Sequence, residues 1–343
     1  MFNTIEHIAE SETPRSIDNL LEDFKYREQP VGEKLKFEGI GSKDVYNTTA
    51  PFEYYEKRYL VGRVESPDKE TDSQSIFFTE KDGVWSPVED IPALDLQDPF
   101  VTQINGEPIL GGVEIYPRKE TPENSGKLGW VTVFYRGTDP AKIKEFVKGP
   151  EFMKDIRLIE LPDGKIGVFT RPGSIQTRSK DGVGGMIGYT EINSLEDLTI
   201  ENINKAEIID GLIAKNEWAG ANELYLLENG CIGVLGHIAR FNKKADKEYK
   251  EYYVMTFEFD SQTKKVSNKK IIAIRDNFPD GRKKMHEKEK GDDFLSNIVY
   301  PGGMVIEPDG TAELYVGLSD AEAGNIPIEY PFSSPIKNAL PAS

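Results

Sequence analysis

Asp98 stands in the run QDPFV, a carboxylate at the entrance to an apolar segment. Such a group can give or take a proton when its surroundings hold it against a substrate. Similar polar groups recur at matching places along the chain. Asn47, Asp98, Asp155 beside Lys154, Asn222 beside Glu223, and the pair Gly302-Gly303 each precede an apolar run. A second polar series follows the next apolar run: Arg63 and Glu65, Glu114, Arg171, His237, and Asp320 with Glu322. Asp and Asn can bond to hydroxyl groups, and Arg and Lys clamp anions such as phosphate. Together the two series describe a site for a polyhydroxylated, partly anionic ligand. Charge is costly to collect in a buried ring unless a ligand meets it, so the recurrence outweighs any single residue.

The elements that must position these residues are read from the turns between the apolar runs. Asn105-Gly106, Asp163-Gly164, Asn229-Gly230 and Asp309-Gly310 each separate two such runs. Asn-Gly and Asp-Gly suit type I′ hairpins, whose two central residues both need positive φ. A looser copy, with Glu56-Lys57 at its turn, opens the series, and the unit recurs near residues 45, 97, 154, 221 and 301. Spacings of roughly 50–80 residues fit four-stranded blades with insertions. Asp82-Gly83 fits an outer hairpin of the first blade. The expected fold is all-β, a five-bladed β-propeller over residues 35–343. Residues 1–34 form an extension with one short helix, capped by Ser16 and carrying Leu20, Leu21 and Phe24 on one face. The charged insertion RDNFPDGRKKMHEKEKGDDF, residues 275–294, reads as a largely solvated loop beside one mouth of the channel.

The totals narrow the partners. Lys+Arg 42 against Asp+Glu 59 gives a formal charge of -17, which disfavours nucleic acid and anionic membrane surfaces. Any anion site must be a local cluster of cations working against that field. Cys231 is the single cysteine, in an apolar run that suits a buried inert thiol. The first residues carry no basic-then-apolar leader pattern, so a cytoplasmic protein is expected. Three scattered histidines offer no metal-ligand spacing, and no glycine-rich nucleotide loop is present. Expected partners are therefore small molecules, with no metal or cofactor.

Glycoside hydrolysis calls for two carboxylates. Phosphorolysis needs one, because phosphate itself is the nucleophile. The run NTTAPFEYYEKRYLVGRVE, followed by QDPFVTQINGEPILGGVE, resembles the first two blades of the β-mannoside phosphorylases. Those enzymes share an asparagine, a following arginine before an acidic residue, and a Glu-Asp-Pro-Arg motif with the catalytic aspartate. Over residues 35–332 the chain is more similar to their relatives, a bacterial and trypanosomatid family of mannosyltransferase-phosphorylases. DVYN, KDIRLIELPDGKIGVFTRP, GYTEI, NELYLL, LGHIA and YPGGMVI carry that likeness.

The resemblance implies an inverting enzyme that builds or phosphorolyses β-1,2-mannosides with mannose-1-phosphate and phosphate, or with GDP-mannose as donor. Phosphate or sugar phosphate is then a co-substrate. Asp98 becomes the catalytic acid, its pKa raised by burial beside other carboxylates. Arg63, Arg171 and His237 become phosphate ligands with Asn47 and Lys154 nearby, and Asp320 of GLSDAE holds the sugar under attack. Asp155 and Asn222 complete the substrate-binding ring. The chain departs from the phosphorylase motif at Gln97, in place of Glu, and at Phe100, in place of Arg. Two rival readings stay open: a glycoside hydrolase with Glu223, Asp155 or Asp320 as second carboxylate, and a non-catalytic sugar-binding propeller.

Overall fold

The computed structural model describes residues 14–54, 57–118, 127–172, 185–244, 247–284, 291, 293–307 and 309–337. Helix α1 (Ile17–Lys25) starts at the Ser16 cap and buries Ile17, Leu20 and Phe24. Two short strands follow, β1 (Glu33–Lys34) and β2 (Lys36–Phe37). The first sheet contains β3 (Asp44–Tyr46), β4 (Phe52–Tyr54), β5 (Lys57–Glu65), β6 (Gln74–Lys81) and β7 (Val84–Pro87), with β2 added at the β7 edge. The second is the meander β8 (Gln97–Ile104), β9 (Glu107–Pro117), β10 (Leu128–Arg136) and β11 (Lys144–Lys148). The third is β12 (Arg157–Glu160), β13 (Ile166–Thr170), β14 (Gly188–Ile192) and, after α2 (Ile200–Ile203), β15 (Glu207–Ile208).

The remaining strands form one eight-stranded sheet. Half of it is the meander β16 (Glu217–Leu226), β17 (Ile232–Lys244), β18 (Lys247–Asp260) and β19 (Lys265–Ala273). The other half is β20 (Asn297–Ile306), β21 (Thr311–Leu318) and β22 (Glu322–Glu329), completed by β1, so the two ends of the chain share a sheet. Among the described residues, the strand pairing that joins the halves is a short parallel one, Glu251–Tyr252 with Asn297–Ile298. β5 lies against β8, β8 against β12, β12 against β16, β16 against β20, and β21 and β22 return to β3. The fold is thus all-β, and its apolar cores lie between successive meanders. One such core sets Phe100 and Phe134 against Ile156, Leu158 and Val168. Another joins α1 to Ile159, Phe169, Ile238 and Phe257. Among the described residues no helix is long and apolar enough to cross a membrane.

The turns divide into two kinds. Asn105-Gly106 and Asp82-Gly83 have positive φ at both residues (53° and 75°, 53° and 79°), the type I′ pattern. At Asp163-Gly164, Asn229-Gly230 and Asp309-Gly310 only the glycine is left-handed, so type I′ geometry is not formed there. In all three, the glycine N–H donates to a carbonyl three residues back at 3.0 Å, and one further bond closes the loop. Each Asp or Asn side chain accepts from the N–H two residues ahead, at 3.2, 3.0 and 2.9 Å. That local bond favours a tight turn of the type I kind, ended by a glycine bulge. Glu56, at the looser first turn, lies outside the described residues.

Candidate active site

The polar residues that open the inner strands share a backbone device. Asn47, Asp98 and Asp155 are left-handed (φ 45°, 48° and 57°). Strand pairing also slips around Asp98, between Ala221 and Glu223, and between Pro301 and Gly303. A left-handed residue or bulge breaks strand alternation and re-aims a side chain. At Gly302 the same slip brings two backbones together. A Cβ there would sit 1.6 Å from the Thr48 carbonyl oxygen, so this position carries no side chain.

One cluster surrounds Asp98. Asn47 Nδ2 donates to Asp98 Oδ1 at 2.7 Å, and Arg63 Nη1 reaches the same oxygen at 3.1 Å. Asp98 Oδ2 has no hydrogen-bond partner among the described residues. Arg63 turns its other edge to Glu65, with Nε and Nη2 each 2.8 Å from Oε2, and lies 4.9 Å from the Tyr46 ring. All of these residues are buried. Burial would raise the Asp98 carboxyl, but Arg63, Lys154 and the Asn47 amide outweigh it and hold it below its ordinary value. The expectation of a raised acid is therefore corrected, because its neighbours are cations and an amide rather than carboxylates.

The second cluster surrounds Asp155. Arg171 Nε is 2.9 Å from Asp155 Oδ2, and Arg171 Nη1 is 3.2 Å from His237 Nε2. His237 Nδ1 lies 2.9 Å from Asn222 Oδ1. An acceptor at Nδ1 and a donor at Nε2 together assign the neutral tautomer with its proton on Nδ1. Burial, the largest influence, pushes His237 down to about 3, while Asp155 is brought to about 2 by Arg171, His237 and Lys154 against its own desolvation. His237 is thus an uncharged support for Arg171 rather than a third cation. Gly220 makes room for it, since a Cβ there would lie 2.4 Å from Asp155 Oδ2 and 2.5 Å from His237 Cε1.

Lys154, half-buried, acts electrostatically on both Asp98 and Asp155 and so links the clusters. Asp320 occupies a left-handed turn after β21 (φ 51°), where its charge acts on Tyr46. Asn47 Oδ1, Asn222 Nδ2 and the Tyr300 hydroxyl are buried without hydrogen-bond partners among the described residues. These orphan groups beside Arg63, Arg171 and Lys154 fit a phosphate and a polyhydroxylated ligand. The sequence reading missed Tyr300 and Tyr252, whose rings flank His237 at 5.3 and 5.2 Å. Tyr300 belongs to YPGG, a motif noted for its likeness and not for its hydroxyl.

Other candidates go elsewhere. Glu114 pairs with Lys148 at 2.6 Å in a partly exposed ion pair. Glu322 bonds to Lys34 and to the Arg282 backbone. Glu223 accepts from the Tyr225 hydroxyl and from Met304 N–H at 2.8 Å. It lines a cavity of about 590 Å³ between β8, β12 and β16, together with Thr102, Arg157, Glu160, Asn222 and Leu226. Gln97 bonds to the Glu70 carbonyl and the Ser73 hydroxyl at 3.3 Å. Phe100 carries the Arg157 guanidinium 3.8 Å from its ring centre, a cation supplied from the neighbouring sheet. Among the described residues no group of three or more His, Cys, Asp or Glu is disposed to hold a metal.

A family of proteins of unknown function, DUF1861, matches residues 23–334. The chain belongs to that family. A mannose phosphorylase from Leishmania mexicana, solved with a phosphate ion, is 32% identical, with 94% of this chain and 96% of that one covered and a TM-score of 0.83. A GDP-Man-dependent mannosyltransferase from the same organism is 30% identical, with 95% and 99% covered and a TM-score of 0.82. The β-1,2-mannobiose phosphorylase of Listeria innocua shares the fold at 14% identity, with 89% and 96% covered and a TM-score of 0.56. No match was found among curated proteins. The family resemblance read from the motifs is borne out by these relatives.

Proposed function

We propose that this DUF1861 protein is an inverting mannosyltransferase-phosphorylase that transfers a mannosyl unit between phosphate and a sugar hydroxyl. The observation that carries the reading is Asp98, held through one oxygen by Asn47 and Arg63 with its other oxygen unpartnered among the described residues. In phosphorolysis Asp98 gives a proton to the glycosidic oxygen as the bond from the anomeric carbon breaks. A phosphate oxygen, held by Arg63, Arg171 and Lys154, forms the new bond from the opposite face. In synthesis the Asp98 carboxylate takes the proton of the acceptor hydroxyl and the phosphate leaves. A bound phosphate offsets the cations that depress Asp98, raising its proton affinity when an acid is needed. GDP-mannose is the alternative donor, as in the 30% identical relative.

The hydrolase reading is weaker because Asp155 is committed to Arg171 and Glu223 to the Tyr225 hydroxyl and the Met304 N–H. We further propose that the parallel contact between β18 and β20 divides two blades, giving a five-bladed propeller over residues 35–343, with β1 reaching back from the extension. The direct test is incubation with mannose-1-phosphate and mannose. Phosphate release matched by mannoside formation supports the reading. Release of phosphate and free mannose without elongation points to hydrolysis.

A further inference from the structure

The insertion before the last meander reads as solvated charge, yet the Lys284 side chain has no exposure. Its ammonium meets Glu65 Oε1, donates to the Ser66 carbonyl at 2.8 Å and lies 3.8 Å from Asp44 Oδ2. Its backbone N–H donates to the Ser319 carbonyl at 3.0 Å. Two residues earlier, Arg282 pairs with Asp44 at 2.6 Å and its N–H donates to Glu322 at 2.9 Å. The segment is therefore stitched to the first sheet and to the turn that carries Asp320.

Glu65 lies between two cations. One oxygen takes Lys284 and the Tyr46 hydroxyl, while the other takes the Nε and Nη2 edge of Arg63 and the Ser73 hydroxyl. The remaining nitrogen of Arg63, Nη1, holds Asp98. We propose that Lys284 is a positioning residue: by answering the charge of Glu65 it leaves Arg63 able to hold Asp98, so the insertion sets the proton affinity of the reacting carboxylate. This rests on Asp98 being the proton-transfer group. Arg63 is faced by Tyr46, Asp98, Glu65 and Glu70. Asp98 is faced by Arg63, Lys154 and Asn47, and its charge also reaches Arg171 and Tyr300. Glu65 is faced by Arg63, Lys284 and Ser73, with Asp44 and Tyr46 beside it. Without Lys284, the uncancelled charge of Glu65 draws on Arg63 and makes the field at Asp98 more negative, which favours its protonated form.

The test uses the full chain with Lys284→Met, Lys284→Arg, the pair Glu65→Gln/Lys284→Met, and Asp98→Asn. The readouts are kcat for phosphate release from saturating mannose-1-phosphate and mannose across pH, and the melting temperature on the same preparations. Lys284→Met should move the acidic limb of kcat up by roughly one pH unit, a tenfold loss on that limb. Lys284→Arg should restore the wild-type limb. The double variant, with neither charge, should show a limb at or below the wild-type pH, and it decides the matter if the single variant does not fold. A folded Lys284→Met protein with a lower melting temperature and an unmoved limb overturns the proposal, as does a double variant whose limb moves up. Full turnover in Asp98→Asn would instead defeat the assignment of Asp98, independently of where the limbs fall.

Discussion

Asp98 and Asp155 stand at the same place in successive repeats, both buried and both left-handed at the mouth of an inner strand. Their surroundings differ. Asp98 shares one oxygen between the Asn47 amide and one nitrogen of Arg63, which is itself divided with Glu65. Asp155 meets Arg171 at 2.9 Å, with a neutral His237 behind the same guanidinium. The two positions share a left-handed φ, and their cations differ in origin: Arg63 comes from β5 in the preceding sheet and Arg171 follows β13 in the same sheet. On the proposed function, that difference separates a carboxylate that reacts from one that anchors. A divided cation leaves proton transfer open. A dedicated one fixes the charge.

The comparison can be broken by exchanging charge for amide at each position. Asp98→Asn keeps the shape and removes the transferable proton, so kcat should fall about 10²–10⁴-fold. Sugar binding by calorimetry and the melting temperature should change little. Wild-type turnover in this variant would place both aspartates among the anchors. Asp155→Asn should show the opposite profile, because it strands a buried guanidinium. About 3–5 kcal/mol of stability should be lost in urea unfolding. A variant that melts normally but has lost turnover to the extent of Asp98→Asn would erase the distinction.

Acid unfolding sharpens the contrast. His237 is held at about 3 against an ordinary 6.5, so between those values the unfolded chain takes up a proton that the folded chain refuses. Stability should therefore fall as pH drops below 6.5, by up to about 1.4 kcal/mol per pH unit from this group. Asp155, depressed from 3.8 to about 2, stabilises fully above its unfolded value, and that contribution disappears only as pH falls through about 2. His237→Gln should flatten the first slope and keep the second loss. Urea titrations at fixed pH steps would read both, and identical slopes in wild type and variant would refute a buried neutral imidazole. The smallest effect should come from the same substitution at neutral pH. With its imidazole support gone, Arg171 should bind phosphate less well, and KM for phosphate should rise about tenfold, ~1.4 kcal/mol, with kcat nearly kept. An unchanged KM would show that Arg171 needs only Asp155.

Much of this was readable without coordinates where local chemistry decides. The repeated turns mark the hairpins because Gly takes positive φ freely, and Asp or Asn bonds to the backbone two residues ahead. The recurrent polar residues mark the inner strands, and Asp98 stands out among them through QDPFV. The Ser16 cap and the spacing of Leu20 and Phe24 place α1. Type I′ geometry, by contrast, was expected at turns that form a different loop, because the dipeptide alone does not say how many residues the closing bond spans.

The chain by itself determined an all-β fold and a set of polar residues able to converge, since turn chemistry and period-two patterning act over a few residues. Only the tertiary structure decided the charge state of that set. His237 lost its charge to burial, Glu223 turned to the Tyr225 hydroxyl and the Met304 N–H, and Phe100 received Arg157 from the next sheet. Lys284 crossed from a loop that reads as solvent-exposed to the carboxylate behind Arg63. Proton affinity depends on desolvation and on charges a few ångströms away, and such neighbours can be more than two hundred residues distant in sequence, as Lys284 is from Glu65.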